Sequence, residues 1–363
     1  MRVEKYYTSM EHLLDVFQKH ARAMGFRAET VPEYARWKLE LRNKLRQMTG
    51  LDTMETCELK PQRLESIQMD GYRRDKLLIQ TEPDVWMPFY VLIPDGRAPE
   101  SRTPCVIATH GHASAGKWSV GGRSDIPAVE RQIRTFNYTY GIEFVRQGYL
   151  VFCPDARAFG ERREWTMQGE EEEQFLNSSC TQLNHMALGL GQSVTGMWTW
   201  DLMRLADYIK TRDDCGDIAC TGLSGGGLQA LWLAAMDDRI QCAVVSGYFY
   251  GYKDSLLRRS SNCGCNYVPG LWKTVDMGDL GALIAPRALL IESGLFDPLN
   301  GERGIDNVTE QYEITRQAYL LLGAEQQLQH HTFPGEHRWN GECTYDFVNN
   351  ALRSAYSTNR QTI

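Results

Sequence analysis

A serine flanked by glycines is the residue in this sequence best suited to nucleophilic chemistry. Ser224 lies in Gly222-Leu223-Ser224-Gly225-Gly226, with a strand-like apolar run at 217–221 before it and a helix-like run at 228–236 after it. A sharp strand-to-helix turn projects a serine hydroxyl clear of a sheet, and it needs glycines where a Cβ would collide with backbone. The alternative is an ordinary glycine-rich turn that carries an exposed serine.

A serine hydroxyl needs a base, and three histidines follow Ser224 in the chain: His330, His331 and His337. His330 and His331 lie in a predicted strand, where adjacent residues point to opposite faces. His337 follows that strand, in a loop that can place its imidazole over the turn. We therefore predict His337 as the base; its alternative role is to cap the next helix.

The base needs an acid to orient it, and on this type of turn the acid falls between the serine and the histidine. Asp297 lies in a loop marked by glycine and proline, just beyond the apolar strand that ends near Glu292. We predict Asp297 as the acid, with Glu292 as the second choice. A third carboxylate, Asp306, lies further along the chain and nearer the next helix. As an alternative, Asp297 only forms the turn before Pro298.

Two backbone N–H groups must face the oxygen on which negative charge develops. The residue after the nucleophile, Gly225, supplies one in this architecture. The segment His110-Gly111-His112 follows an early predicted strand, and we assign the second N–H to His112. His110 is then expected to be a structural hydrogen-bonding residue.

The elements that position these residues follow from the hydrophobic pattern. Residues 1–60 have helical periodicity and predict a helical extension that packs on the main domain or forms a subunit contact. Three strands between 62 and 93 have tight connections, which favours antiparallel pairing. Strands and helices then alternate, so residues 61–363 are predicted to be an α/β domain with a mainly parallel sheet covered by helices on both faces.

Two segments interrupt the alternation of strands and helices. The insertion near 155–192 contains the acidic run Glu170–Glu173, interpreted as a solvated loop. The insertion near 247–281 is rich in aromatic residues and follows a strand at the edge where open α/β sheets bind ligands. Its rings are candidates for a substrate wall, with core packing as the alternative.

Charge and composition limit the possible partners. The chain has 363 residues, a formal net charge of −7 and 23% charged residues, and no basic patch that predicts nucleic-acid binding. No apolar run is long enough to span a bilayer, so no membrane partner is expected. The first residues lack the apolar segment of a signal peptide, which predicts a cytoplasmic location.

The ten cysteines predict neither disulfides nor a metal site. Cys105, Cys153, Cys220 and Cys242 fall in or beside predicted elements and are expected to behave as small buried apolar residues. Cys263 and Cys265 are close, but no second Cys/His pair stands at ligand spacing, so a tight loop with two free thiols is predicted.

The ordered set His110-Gly111-His112, Gly222 to Gly226, Asp297 and His337 resembles the α/β-hydrolase superfamily. The runs from Cys153 to Arg163 and from Ala285 to Gly294 are similar to its bacterial dienelactone-hydrolase-like and acetyl-xylan-esterase-like branch. The resemblance covers about residues 60–360. It implies an eight-stranded type of sheet, esterase chemistry and no cofactor.

The sequence departs from that branch at two points. Dienelactone hydrolase itself uses a cysteine nucleophile where this chain has Ser224, so its substrate is not inferred. The Asp-x-Arg-Gly-x-Gly stretch of the esterases has Ala158 in place of its first glycine. We interpret Asp155 and Arg157 in that stretch as scaffold charges, with direct substrate contact as the alternative.

Together these residues predict a serine ester hydrolase that forms an acyl-enzyme on Ser224. By resemblance, the substrate is a short acyl ester of a carbohydrate or small alcohol. A serine peptidase or amidase of the same fold and a non-catalytic binding protein are the alternatives. The predicted partner is a small-molecule ester, with a homo-oligomer possible through the N-terminal helices.

Overall fold

One mixed sheet of nine strands organises the protein. The computed structural model describes residues 6–97, 102–169, 171–259 and 262–358. The strands are β1 (Gln62–Gln68), β2 (Tyr72–Glu82), β3 (Val85–Pro94), β4 (Thr103–Thr109), β5 (Leu150–Pro154), β6 (Cys215–Leu223), β7 (Ile240–Ser246), β8 (Ala288–Gly294) and β9 (Leu328–Phe333). Their order across the sheet is β1-β2-β3-β5-β4-β6-β7-β8-β9.

The helices flank this sheet. They are α1 (Met10–His20), α2 (Val31–Thr49), α3 (Lys117–Val120), α4 (Pro127–Phe136), α5 (Tyr140–Arg146), α6 (Cys180–Gly189), α7 (Val194–Lys210), α8 (Gly225–Met236), α9 (Leu271–Thr274), α10 (Met277–Ala282), α11 (Ile305–Leu321) and α12 (Thr344–Thr358). Among the described residues, no helix is both long and apolar enough to cross a bilayer.

The pairing of the strands confirms the predicted fold class. Strands β1, β2 and β3 are antiparallel neighbours, and β3 pairs antiparallel with β5. All remaining pairs are parallel, so the carboxyl ends of β4 to β9 meet at one edge. The sheet has nine strands rather than the eight that the resemblance implied. Strand β1, whose residues are all exposed, extends the antiparallel edge.

Buried side chains of the strands alternate between two cores, one on each face of the sheet. In β4, Ile107 lies in the larger core with residues of α2, α7 and α8. Its neighbours Val106 and Ala108 lie in the smaller core with residues of α4, α5 and α12. This alternation is the period of two that a strand imposes. Helices therefore cover both faces, and the parallel strands are apolar on both sides.

The N-terminal helices share the larger core. Leu41 and Leu45 of α2 are fully buried there, and the hydroxyl of Tyr34 donates to the carbonyl oxygen of Ala285 at 2.7 Å. A capping box between Thr30 and Glu33 begins α2. Of the two placements considered for the extension, the structure shows packing on the main domain.

The two insertions are more ordered than their sequences suggested. Glu170 lies outside the described residues; Glu172 accepts a hydrogen bond from the N–H of Ala128, and Glu173 pairs with Arg131 of α4. In the aromatic insertion Tyr248, Phe249, Tyr250 and Tyr252 are all buried in the larger core. The expectation that these four rings form a substrate wall is wrong, because burial in the core removes them from any open surface.

Candidate active site

Ser224 occupies a strained turn between β6 and α8. Its backbone has φ 60° and ψ −120°, a conformation that non-glycine residues rarely adopt and that costs roughly 1–3 kcal/mol. Strand β6 ends at Leu223, and α8 begins at Gly225. The N–H of Ser224 donates to the carbonyl oxygen of Ser246 at 2.9 Å, which fixes the turn against the end of β7. Such strain is typical of positions that are held for function.

The glycines of the turn are required by contact with the neighbouring strand β4. A Cβ on Gly222 would lie 2.4 Å from Thr109 Oγ1, and one on Gly226 would lie 2.4 Å from the carbonyl oxygen of Thr109. Both distances are too short for a real Cβ. The hydroxyl of the buried Thr109 donates towards the carbonyl oxygens of Thr221 and Gly226. This close approach explains the glycines on either side of the serine.

The structure brings together the predicted base and the predicted acid. His337 Nδ1 lies 2.7 Å from Asp297 Oδ2 and donates a hydrogen bond to it. The other carboxylate oxygen of Asp297 accepts the N–H of Leu299 at 2.8 Å, so Asp297 also caps the turn as the alternative interpretation had it. A Cβ on Gly247, at the end of β7, would lie 3.0 Å from His337 Cε1. The imidazole therefore lies over the sheet edge from which Ser224 projects.

The hydroxyl of Ser224 and the imidazole of His337 form no hydrogen bond within the described part of the chain. Catalytic hydrogen bonds are often long without substrate and tighten when it binds. Ser224 itself is partly exposed, as a nucleophile must be to reach a substrate.

Glu292, the second choice for the acid, has other partners. Its carboxylate accepts hydrogen bonds from Ser246 Oγ at 2.7 Å and from the N–H groups of Asn340 and Gly341 at 2.8 and 2.7 Å. Burial raises the pKa of this carboxyl. Glu292 therefore ties the ends of β7 and β8 to the loop after β9.

The other two histidines after Ser224 also have partners in the structure. His330 Nε2 lies 3.2 Å from Ser293 Oγ, and burial lowers the pKa of His330 to about 4. His331 Nδ1 lies 3.3 Å from Cys343 Sγ. Neither histidine contacts Asp297 among the described residues, whereas His337 does.

The predicted oxyanion residues are neighbours in space. Gly225 is the first residue of α8, where an N–H has no acceptor within the helix. A Cβ on Gly225 would lie 2.5 Å from His112 Nδ1, so the loop that carries His112 lies directly against the turn. Within the described ranges, neither the N–H of Gly225 nor that of His112 donates to another protein group. Both N–H groups are therefore unused as donors in this part of the structure.

His110 has the structural role expected of it. Its Nε2 accepts the N–H of Ala156 at 3.1 Å, and its Nδ1 lies 2.9 Å from both the carbonyl oxygen of Gly111 and Ser114 Oγ. Because Nε2 is an acceptor, the ring proton is on Nδ1 and the imidazole is neutral. Complete burial lowers the pKa of His110 to about 4. The residue fixes the loop before His112 to the loop after β5.

Asp155 braces the same edge through a buried ion pair. Its carboxylate accepts hydrogen bonds from the N–H and the Nζ of Lys117, both at 2.6 Å, and both side chains are fully buried. Glu161 pairs with the same ammonium. Arg157 is paired with Asp201 at 2.9 Å. Asp155 and Arg157 therefore form ion pairs within the protein, which agrees with their interpretation as scaffold charges.

One group of residues was missed by sequence reasoning. Cys180 and His112 lie beside Cys263 and Cys265, and the ligand atoms of these four residues all lie within 4.8 Å of one another. The second Cys/His pair that seemed to be missing is therefore present, but it comes from two distant segments. Spacing along the chain could not reveal it; only the folded edge of the sheet brings these residues together.

The whole chain is similar to known proteins. A model of the Abhydrolase family matches residues 2–348, which is nearly the whole sequence. The chain belongs to the Abhydrolase family. This confirms the resemblance to the α/β-hydrolases. A protein of Bacillus subtilis (strain 168) named "Putative hydrolase YtaP" is 28% identical over 215 residues. That match covers 57% of this chain and 66%, just under two thirds, of the relative's length.

Solved structures show the same α/β-hydrolase fold at low identity. A "putative acetyl xylan esterase" of Bacteroides fragilis NCTC 9343 matches with a TM-score of 0.70 at 19% identity, covering 91% of this chain and 83% of that one. Acetyl xylan esterase 1 of Thermoanaerobacterium sp. JW/SL YS485 matches with a TM-score of 0.58 at 17% identity, covering 94% and 98%. A CE15 glucuronoyl esterase of Teredinibacter turnerae T7901 matches with a TM-score of 0.61 at 15% identity, covering 93% and 88%.

Proposed function

We propose that this member of the Abhydrolase family is a serine ester hydrolase that forms an acyl-enzyme on Ser224. The observation that carries the proposal is the 2.7 Å hydrogen bond between His337 and Asp297, beside a serine on a strained strand-to-helix turn. A base held in one tautomer by a buried carboxylate is the arrangement that activates a serine.

The proposed reaction has two steps. The hydroxyl of Ser224 attacks the ester carbonyl while His337 Nε2 takes its proton and then gives it to the leaving alcohol. The N–H groups of Gly225 and His112 hold the negative oxygen of each tetrahedral intermediate. Water then attacks the acyl-enzyme with His337 again as the base, which releases the acid and restores Ser224. The chemistry needs only these groups and water, and no cofactor.

The proposed substrate is a short acyl ester of a carbohydrate or small alcohol. The substrate class follows from the resemblance in sequence to the acetyl-xylan-esterase-like branch, and solved structures of the same fold are named as acetyl xylan and glucuronoyl esterases. A panel of acetylated sugars and alkyl esters of sugar acids tests which side of the ester carries the sugar. The cytoplasmic location and an assembly through the N-terminal helices stay predictions.

The decisive experiment measures hydrolysis of p-nitrophenyl acetate by the wild type and by Ser224→Ala. We expect the variant to lose activity by about 10³-fold or more, because the nucleophile is gone. Ser124→Ala removes an exposed hydroxyl and is the matched control. Equal rates for the wild type and Ser224→Ala would end the proposal. Turnover of an aminoacyl p-nitroanilide in place of the ester would favour a peptidase instead.

A further inference from the structure

Three thiols and an imidazole converge behind the proposed oxyanion loop. His112 follows β4, Cys180 is the first residue of α6, and Cys263 and Cys265 lie in the aromatic insertion. His112 Nε2 lies 3.1 Å from Cys265 Sγ, and all four ligand atoms lie within 4.8 Å of one another. Cys180 and Cys265 are fully buried, and the other two are partly buried.

This set of donors and its size match a tetrahedral metal site. Three thiolates and one imidazole are a common ligand set of structural zinc, with Zn–S about 2.3 Å and Zn–N about 2.0–2.1 Å. Those bond lengths make the edges of the tetrahedron about 3.5–3.8 Å, so the four atoms need to move by no more than about 1 Å. A disulfide could join two of the thiols, but it would leave the third thiol and the imidazole unused.

The surrounding backbone is built to keep the two loop thiols in place. A Cβ on Gly264 would lie 2.9 Å from the Cα of Thr181, so only glycine lets this loop come so close to the start of α6. The N–H of Gly264 donates to Thr181 Oγ1 at 3.3 Å. The side-chain amide of Asn266 lies 3.7 Å from Cys265 Sγ and can donate to a thiolate.

We propose that His112, Cys180, Cys263 and Cys265 bind one Zn²⁺ ion. Four protein ligands close the coordination shell, so the ion is structural and does not take part in ester hydrolysis. It would join the loop after β4, the start of α6 and the 263–265 loop at the edge where Ser224 lies. The ring of His112 binds through Nε2, while its backbone N–H is the proposed oxyanion donor. Only the role of this N–H as an oxyanion donor rests on the proposed function; the zinc site does not.

The test is metal content, which is independent of esterase activity. The full chain, produced in zinc-supplemented medium without a histidine tag, is assayed for zinc by elemental analysis and for zinc release by p-hydroxymercuribenzoate. We expect about one zinc ion per chain in the wild type. The variants Cys265→Ser and His112→Ala should lose most of it, whereas Cys57→Ser, which changes a cysteine outside the cluster, should retain it.

A second measurement covers variants that fail to fold. Reduced, metal-free wild type is titrated with Co²⁺, and one equivalent should produce thiolate-to-cobalt charge-transfer absorption and the intense visible bands of a tetrahedral site. Zinc content that is equal in the wild type and Cys265→Ser would overturn the proposal. So would folded, reduced wild type that holds no zinc and gives no cobalt absorption. A disulfide between two of these cysteines, in protein that takes up no Co²⁺ after reduction, would also overturn it.

Discussion

His337 Nδ1 donates a hydrogen bond to Asp297 Oδ2 across 2.7 Å, from a loop after β9 to a loop after β8. The carboxylate is held on its other side by the N–H of Leu299, and Asp297 is only 4% exposed. A buried, fixed carboxylate determines which nitrogen of the imidazole carries the proton. Nε2 is thereby left unprotonated, as the proposed proton transfer from Ser224 requires.

We predict that Asp297→Asn lowers kcat for p-nitrophenyl acetate by about 10⁴-fold, because an amide cannot hold the imidazole in the required tautomer. The control is Asp306→Asn, which changes an exposed carboxylate further along the same segment and should leave kcat unchanged. Steady-state kinetics on both variants measure the effect. An Asp297→Asn enzyme as active as the wild type, with Glu292→Gln inactive and folded, would move the acid to Glu292.

Glycine at 226 should be required for stability as well as for the turn. We expect Gly226→Ala to lower the free energy of unfolding by about 2–3 kcal/mol, because the new Cβ would meet backbone atoms of Thr109 that cannot move away freely. Gly189→Ala is the matched control: no atom lies within 4 Å of the new Cβ, and alanine favours the helix by up to about 1 kcal/mol. Urea denaturation compares the two. Similar losses in both variants would contradict the close contact with β4.

The buried ion pair of Lys117 and Asp155 should matter more than exposed pairs. Lys117→Met leaves the carboxylate of Asp155 buried beside Glu161 without its cation, and we expect it to lower the free energy of unfolding by about 3–5 kcal/mol. Lys19→Met breaks an exposed pair with Asp15 and should cost about 1 kcal/mol or less. Thermal unfolding of both variants measures the difference. A Lys117→Met protein as stable as Lys19→Met would contradict the role of the pair as a brace.

Acid should destabilise the fold through His110. Its pKa is lowered to about 4 by burial, with Lys117 and His112 also opposing the charge and Asp155 favouring it. The folded state therefore holds fewer protons than the unfolded state between about pH 6.5 and pH 4. The contribution of the neutral imidazole to the free energy of unfolding is complete above about pH 6.5. It is lost as the pH falls towards 4, and roughly 2 kcal/mol of it is gone at pH 5.

The variant His110→Gln tests this pH dependence, since an amide oxygen can accept the N–H of Ala156 but does not titrate. Urea unfolding at pH 7 and pH 5 should show a smaller loss of stability in the variant than in the wild type. The other titrating groups contribute to both proteins and cancel in the comparison. If the wild type and the variant lose the same amount of stability between pH 7 and pH 5, His110 does not titrate with a lowered pKa.

The order of elements could be read from the sequence because each has a strong local signal. The strand before Ser224, the helix after it and the apolar strand before Asp297 all lie close to their predicted positions, and His330 and His331 lie in a strand, β9, as predicted. The residues predicted as nucleophile, base and acid could be assigned to one edge of the sheet because loops after parallel strands meet there. Helix α6 was missed because its apolar residues show little helical periodicity.

Contacts between distant segments could not be predicted from the chain. Cys180 and His112 meet Cys263 only in the folded chain, where β4 lies inside the sheet and the start of α6 contacts the 263–265 loop. Backbone conformation was equally hidden. Ala158 stands where the esterase pattern has glycine, and it has the glycine conformation, with φ 77°. The loop therefore keeps a left-handed turn despite the change of residue.

The most direct test of the account is covalent labelling of the folded protein with a fluorophosphonate, read by intact mass and peptide mapping. We predict one adduct per chain, located on the peptide that contains Ser224 and absent from Ser224→Ala. Asp297→Asn should be labelled much more slowly, and heat-unfolded protein should not be labelled. Folded wild-type protein that stays unlabelled, or that carries the adduct on another residue, would contradict Ser224 as the nucleophile.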